Sequence, residues 1–266
     1  MKTYTILLLC CLLFLECKNE TGSDDAAMRN MTSMELSKLM GIGWNLGNTL
    51  EATGGETSWG NPKVTADLIR AVKEAGFKSV RIPVSWAVHV TDQSTCKIDN
   101  AWMQRVGQVV NYVLDQDMFA IINIHWDNGW MNDPRESSRQ QINARFNTIW
   151  TQIATYFKDY DDRLLFAGSN EVHMEGDWSS SPPAEYLSVQ NSFNQTFVDA
   201  VRKTGGRNLK RHLVIQSYLT NIDLAYKSLI IPQDPTPGRL MVEVHYYDPY
   251  EFALKEDEPY DFRWGS

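Results

Sequence analysis

Cysteine is scarce in this chain, and its placement excludes a disulfide framework. Of 4 cysteines in 266 residues, Cys10, Cys11 and Cys17 fall in the amino-terminal segment, leaving Cys96 alone in the body of the chain. A nucleophilic role for Cys96 is not expected, because "DQSTCKIDN" reads as a surface loop with no strand behind it. No zinc-type spacing occurs, and the 5 histidines are dispersed, with no His-x-His pair closing the first strand. That pattern argues against metal-dependent hydrolysis. Basic charge is in deficit: 25 Lys plus Arg face 33 Asp plus Glu, a net charge of -8. Nucleic acid and anionic membrane both call for a basic face, so neither is the expected partner. Gly41, Gly43 and Gly47 lack the G-x-G-x-x-G spacing of a dinucleotide turn. No cofactor is implied.

What is present begins with an export signal. Lys2 precedes an apolar run, Ile6–Leu15, too short to span a bilayer as a permanent helix. Residues 1–17 read as a secretory signal ending at Cys17, and residues 18–33 as a polar tether. The arrangement resembles that of a bacterial lipoprotein, in which Cys17 would be acylated, although Glu16 stands where such signals carry a small residue. The expected location is therefore outside the cytoplasm: secreted, periplasmic or lipid-anchored at the cell surface.

From residue 34 onward, short apolar runs alternate with helical patterns. The strand candidates are Gly41–Asn45, Ser79–Ile82, Phe119–Ile124, Leu164–Gly168, His212–Gln216 and Leu240–Val244. They are near-continuous apolar runs, as expected of parallel strands covered by helices on both sides. Between them lie amphipathic stripes: Leu68, Ile69, Val72 and Ala75, closed by Gly76; Trp102, Val106, Val109, Val110 and Val113; Ile142, Phe146, Ile149, Ile153 and Phe157; and Leu187, Phe193, Phe197 and Val201. Trp102 and Trp150 lie on such helices and belong to the core. The alternation predicts an α/β fold, a (β/α)8 TIM barrel whose site lies at the carboxyl ends of the strands. A doubly wound sheet is the alternative. Six strands are found where a closed barrel of this type has eight, so the barrel is expected to be incomplete.

The polar residues collect at those strand ends. Asn45 and Asn48 follow the first strand and Arg81 lies in the second. His125, Trp126 and Asp127 follow the third, Asn170 and Glu171 the fourth, Ser217 and Tyr218 the fifth, and His245 and Tyr247 the sixth. Singly, each has a structural explanation; their convergence on one barrel face points to chemistry. Glycoside cleavage needs a carboxylic acid to protonate the leaving oxygen and a carboxylate at the anomeric carbon. An amide beside the acid, here Asn170, can hydrogen-bond the sugar 2-hydroxyl. With 9 Trp and 11 Tyr, flat rings for sugar faces are plentiful. Trp59, Trp130 and Trp178 fall in loops on the active face.

Five segments, "GIGWNLGNTLEA", "VRIPVSW", "INIHWDNGW", "GSNE" and "VEVHYYDPY", occur in an order that resembles glycoside hydrolase family 5, the cellulase family. The resemblance covers roughly residues 34–264 and assigns 34–266 to a catalytic domain. It implies a retaining endo-β-1,4-glucanase without metal or cofactor, acting on a β-glucan polysaccharide as a monomer. By motif position, Glu171 would be the acid/base and Asn170 its substrate-binding neighbour. Arg81, His125, His245 and Tyr247 would surround the nucleophile and the sugar being cut. Asn48 and Glu51 would touch the next sugar on the non-reducing side. Where many members carry a second histidine, Trp126 stands here, so that contact becomes stacking or steric.

The second carboxylate is the difficulty. The family pattern puts the nucleophile on a seventh strand, and the expectation is that it lies beyond Ser266, the chain being an amino-terminal portion of the domain. Glu243 is the nearest local candidate, but it sits two residues, roughly 6–7 Å, deeper along its strand than His245. It reads as an ion-pair partner. Xyloglucan, mixed-linkage glucan or mannan hydrolysis, or glycan binding without catalysis, remain alternatives on the same scaffold.

Overall fold

In a computed structural model, residues 28–179 and 181–258 are described; the predicted signal at 1–17 and most of the tether lie outside them. The chain forms a curved sheet of six parallel strands in the order β1 (Gly43–Asn45), β2 (Ser79–Ile82), β5 (Phe119–Asn123), β6 (Leu164–Ala167), β7 (Leu213–Gln216) and β8 (Leu240–Glu243). A small antiparallel pair, β3 (Val90–Asp92) and β4 (Lys97–Ile98), is inserted after β2. The six strands and their helices make part of a (β/α)8 barrel, as the alternation predicts. Each predicted strand is present, shortened by no more than two residues at an end.

The strands are parallel because each is followed by a helix returning over the outer face. The connecting helices are α2 (Ala66–Glu74), α3 (Asn100–Leu114), α4 (Glu136–Tyr156) and α5 (Ala184–Lys203), with the shorter α6 (Ile222–Ser228) after β7. Their starts are written locally: Thr65 accepts from the Leu68 N–H and Asp99 from the Trp102 N–H, capping α2 and α3. Gly76, at φ +99°, supplies the left-handed turn just after α2. The predicted stripes of α3 and α4 are the buried faces. On α2 and α5 they shift: Ala75 is exposed, and Val189 is buried where Leu187 was expected. Three buried indoles tie the outer layer to the sheet's active end. Trp86 donates to the Asn123 carbonyl, Trp102 to Ser85 and Trp150 to Gly168, all at 2.8–2.9 Å. A buried tryptophan needs such a partner, and here the partners are strand ends.

The amino-terminal end of the barrel is closed by α1 (Ser33–Met40), whose capping box pairs Thr32 with Glu35. Leu36, fully buried, packs with Phe119, Leu165, Ala167 and Val214 inside the curve of the sheet. Residues 28–33, read as tether from their polarity, instead dock on this floor. Met28 is buried, Arg29 pairs with Asp162 through Nε at 2.8 Å, and the Ser33 N–H donates to the Gly238 carbonyl. A polar composition scored residue by residue conceals ion pairs made across 133 positions. Nearby, Arg239 donates to His212 Nε2 at 2.7 Å, so the proton sits on Nδ1, facing Ser33 Oγ at 2.9 Å. Burial and the surrounding arginines push His212 down to about 3, and it stays neutral. Arg211, wholly buried, donates to the carbonyls of Phe157, Tyr160, Asp161 and Leu164. It thereby satisfies backbone acceptors between α4 and β6 that water cannot reach.

Leu36→Ala should lower folding stability by about 2–4 kcal/mol, through lost transfer energy and the cavity left in the barrel floor. Urea denaturation measures it, and a loss under about 1 kcal/mol would mean that α1 is not a structural plug.

Candidate active site

Arg81 organises the site. As the third residue of β2 it is in register with Asn45 on β1 and Ile121 on β5. Its guanidinium spreads over the active end of the sheet. Nη1 donates to Asn45 Oδ1 at 3.0 Å, Nη2 to Asn170 Oδ1 at 2.7 Å and Nε to Glu243 Oε1 at 3.0 Å. Glu243 closes β8 and also accepts from Gln216 Nε2 on β7 at 2.8 Å. It is the buried ion-pair partner that its depth on the strand implies. His245, two residues on, bridges two carboxylates: Nε2 lies 2.9 Å from Glu243 Oε1 and Nδ1 2.5 Å from Glu171 Oε1. Five of the predicted residues are thus joined in one network through Glu243.

The charges follow from this geometry. Burial alone would raise Glu243, but the His245 hydrogen bond, the Arg81 charge and the Gln216 amide reverse that and hold it at about 2. Burial would lower His245, yet its bonds to Glu171 and Glu243 lift it to about 9, making it an imidazolium at neutral pH. Glu171 is raised by burial and lowered further by His245, His125 and Arg81, so the net direction is down. His125 is pushed to about 4 by burial and by the Arg81 charge. It accepts from Asn123 Nδ2 at 3.3 Å and stays neutral. Burial and the Glu171 charge raise Tyr247. The Asn170 carbonyl is occupied by Arg81, which leaves its amide nitrogen as a donor toward a ligand.

Other expected positions separate into cleft and scaffold. Trp126 and Trp178 are exposed at 43% and 66% and line the cavity that holds Glu171. Asn48 lines a second hollow with Trp44, Asn45 and Asn61. Glu51, expected to touch a sugar, is instead buried. Its carboxylate accepts from the Asn48 and Thr49 N–H groups and shapes the loop that presents Asn48. Asp127 likewise turns inward, accepting from the Ala87 and Val88 N–H groups and the Trp130 indole. Trp130 therefore packs on Phe146 under Arg145 as scaffold. Ser217 and Tyr218 serve the backbone, at the Asn221 carbonyl and the Met174 N–H. The cleft is also lined by Asn132, His173 and Glu175, which carry no motif in the sequence. The sign of His173 and Glu175 in the sequence is the polar alternation in "NEVHME", which a solvated loop shares, and Asn132 carries no such sign. Among the described residues no group of three His, Cys, Asp or Glu side chains is placed to hold a metal.

The partial (β/α)8 barrel carries a half-buried carboxylate–histidine–carboxylate bridge and exposed tryptophans at its carboxyl end, where barrels of this kind place their sites. The chain belongs to the cellulase family, glycosyl hydrolase family 5, whose profile matches residues 45–265. It is 45% identical over 253 residues to a xyloglucan-specific endo-beta-1,4-glucanase of Bacteroides ovatus, covering 91% of this chain and 50% of that one. Endoglucanase A of Paenibacillus barcinonensis is 37% identical over 266 residues, covering 92% and 66%. The structure superposes on the Bacteroides ovatus family 5 xyloglucanase in complex with a XXXG heptasaccharide with a TM-score of 0.88, at 45% identity, over 91% of this chain and 55% of that one. A broad-specificity endoglucanase from Ruminococcus champanellensis with bound cellotriose gives 0.82 at 43% identity, over 85% and 69%. The chain therefore spans about half the length of the Bacteroides ovatus relative.

The relay has a pH signature. Since His245 is raised from 6.5 to about 9, its pairing stabilises the fold fully below about pH 6.5 and is lost as pH rises through about 9. The stability difference between wild type and His245→Asn should shrink across that window, followed by denaturant titration at successive pH values. A difference constant from pH 6 to pH 10 would refute the bridged arrangement.

Proposed function

We propose that the protein is an endo-acting β-1,4-glucanase that cleaves β-glucan polysaccharide with retention of configuration. One observation carries this: Glu171 and Asn170 stand side by side at the end of β6, both tied to the Arg81–Glu243–His245 network. Glu171 is the acid/base. It protonates the departing glycosidic oxygen, then deprotonates the water that releases the second product. Asn170 donates to the 2-hydroxyl of the sugar being cut. Arg81 and His245 hold the site cationic, the setting in which a carboxylate nucleophile stays ionised.

Glu171 must be protonated to act as the acid, whereas here His245 and Arg81 keep it low. A second carboxylate about 5 Å away, the retaining separation, would raise it by like-charge repulsion. Glu243 does not serve, being saturated by Arg81, His245 and Gln216. The likeness to the xyloglucan-specific relative favours a branched glucan among the substrates. We further propose export directed by the segment at 1–17, to a secreted or periplasmic location or, by acylation of Cys17, to a lipid-anchored one, and action as a monomer.

In protein expressed from its own reading frame, Glu171→Gln should reduce kcat on carboxymethyl-cellulose by about 10²–10⁴-fold with little change in KM. An aryl glycoside with a good leaving group should be spared in the first step. Undiminished turnover of carboxymethyl-cellulose would remove Glu171 from the role. Arg81→Lys keeps the charge but not the three-way fork, so it should cost rate and shift the pH optimum. A wild-type pH–rate profile for Arg81→Lys would reduce Arg81 to scaffold.

A further inference from the structure

Gln216 ends β7 behind the charged network and is fully buried. Its side-chain amide bonds to groups on both flanking strands, and all of its hydrogen-bonding capacity is used. Oε1 accepts from the Ser169 N–H at 3.0 Å and from the Ser169 hydroxyl at 3.3 Å. Nε2 donates to Glu243 Oε2 at 2.8 Å and to the Val214 carbonyl at 3.3 Å. These partners fix which way the amide faces. A backbone N–H can only donate, so Oε1 meets Ser169, and Nε2 is left to meet the ionised Glu243. Gly168 permits the close approach: a Cβ there would stand 3.4 Å from Gln216 Oε1 and 3.0 Å from the Phe197 ring. The main chain of Gln216 is held in turn by α5. Asn194 accepts from its N–H at 3.3 Å and donates to its carbonyl at 2.8 Å, and Gln190 donates to the same carbonyl at 3.1 Å.

Two routes run from this amide to Glu171. One follows the backbone, since Ser169 stands two residues before Glu171 at the end of β6. The other follows the charges. It runs from Gln216 to Glu243, from Glu243 Oε1 to His245 Nε2 at 2.9 Å, and from His245 Nδ1 to Glu171 Oε1 at 2.5 Å. Glu243 Oε1 is shared between His245 and Arg81 Nε, 3.0 Å away, whereas Oε2 has Gln216 as its partner. The Gln216 bond therefore sets the rotation of the carboxylate, which is a soft terminal torsion. Released from it, the carboxylate can turn toward the guanidinium and carry Oε1 off the imidazole.

We propose that Gln216 is a positioning residue for the acid/base, holding the Glu243 carboxylate against His245 and the Ser169 backbone in place, so that the imidazole meets Glu171 at a fixed distance. The inference rests on the reading of Glu171 as the acid/base. What position 216 must supply is a hydrogen-bond donor toward Glu243. The titratable and charged groups around the bridge are Arg81 from β2, His125 after β5, Glu171 after β6 and Tyr247 after β8. Toward Gln216 itself, α5 presents the neutral amides of Gln190 and Asn194. In Gln216→Glu, two carboxyl groups would face each other. They cannot both ionise at hydrogen-bonding separation, so they would share one proton. While that proton is present, an O–H takes the place of the amide N–H as donor to Glu243. Once it leaves with rising pH, the donor is gone.

The test compares Gln216→Met, which keeps the length of the side chain without a donor, with Gln216→Glu, both in protein expressed from its own reading frame. On carboxymethyl-cellulose, Gln216→Met should lower kcat at least about tenfold, with KM changed less than about twofold. Gln216→Glu should keep at least about half of the wild-type kcat near about pH 5, then fall progressively behind wild type as pH rises toward about 9. His245 is followed separately through its ring nitrogen resonances. Its titration, raised to about 9 in the wild type, should drop by at least about one pH unit in Gln216→Met, because Nε2 loses a fixed acceptor. Circular dichroism establishes that each variant is folded, and if Gln216→Met is not, the pH dependence of Gln216→Glu decides. Equal kcat deficits in the two variants at every pH overturn the proposal, as does Gln216→Met with wild-type kcat and a wild-type His245 titration. Should the wild type cut no glucan, the glucanase reading falls, and the His245 titration alone decides whether Gln216 positions the bridge.

Discussion

One guanidinium holds the active end of this sheet together. Arg81 reaches Asn45, Asn170 and Glu243, the side chains at the ends of β1, β6 and β8. A planar fork of donors can address three acceptors at fixed angles, and an ammonium cannot. β1 is paired directly with β2, and the curvature of the sheet is what brings the ends of β6 and β8 within reach of a residue on β2. In turn, the site's charge distribution depends on that curvature. Glu243 could not remain ionised in its buried position without Arg81 and His245, and His245 could not remain cationic without Glu243 and Glu171. The relay is mutually sustaining, so removing one member changes the charge of the others.

The two ends of the barrel divide the work. At the amino-terminal end, α1, Arg29, Asp162, His212 and Arg239 lock the floor, and Arg211 satisfies four carbonyls nearby. Those groups are saturated by protein partners. At the carboxyl end, Asn170, Trp126 and Trp178 retain unengaged donors or ring faces, which is the condition for binding something else. The same residue types thus serve stability at one end and chemistry at the other, distinguished by whether their valences are filled. His212 and His125 are both kept neutral by burial, and His125 borders the cavity that holds Glu171.

Much of this was legible in the chain itself. Continuous apolar runs marked the six parallel strands because a strand covered on both faces leaves no polar position to alternate. The stripe Ile142, Phe146, Ile149, Ile153 marked α4, because 3.6-residue periodicity survives any tertiary context. Polar residues at strand ends, Arg81, His125, Asn170, Glu171, His245 and Tyr247, were readable as a site because the interior of a parallel sheet excludes them. The depth of Glu243 on its strand was readable for the same reason, from the rise per residue.

Only the folded arrangement decided where individual carboxylates and amides point. Glu51 and Asp127 look like cleft residues in the sequence, but their oxygens are taken by backbone N–H groups of nearby turns. Ser217 and Tyr218 follow a strand as faithfully as Asn170 and Glu171 do, yet they turn to the Asn221 carbonyl and the Met174 N–H. Residues 28–33 read as a solvated tether until Asp162 supplied Arg29 with a partner. Strand and helix periods are local and survive in one dimension. The choice between a buried hydrogen bond and an open donor depends on which distant segment arrives first at that side chain, and that is settled only when the sheet curls.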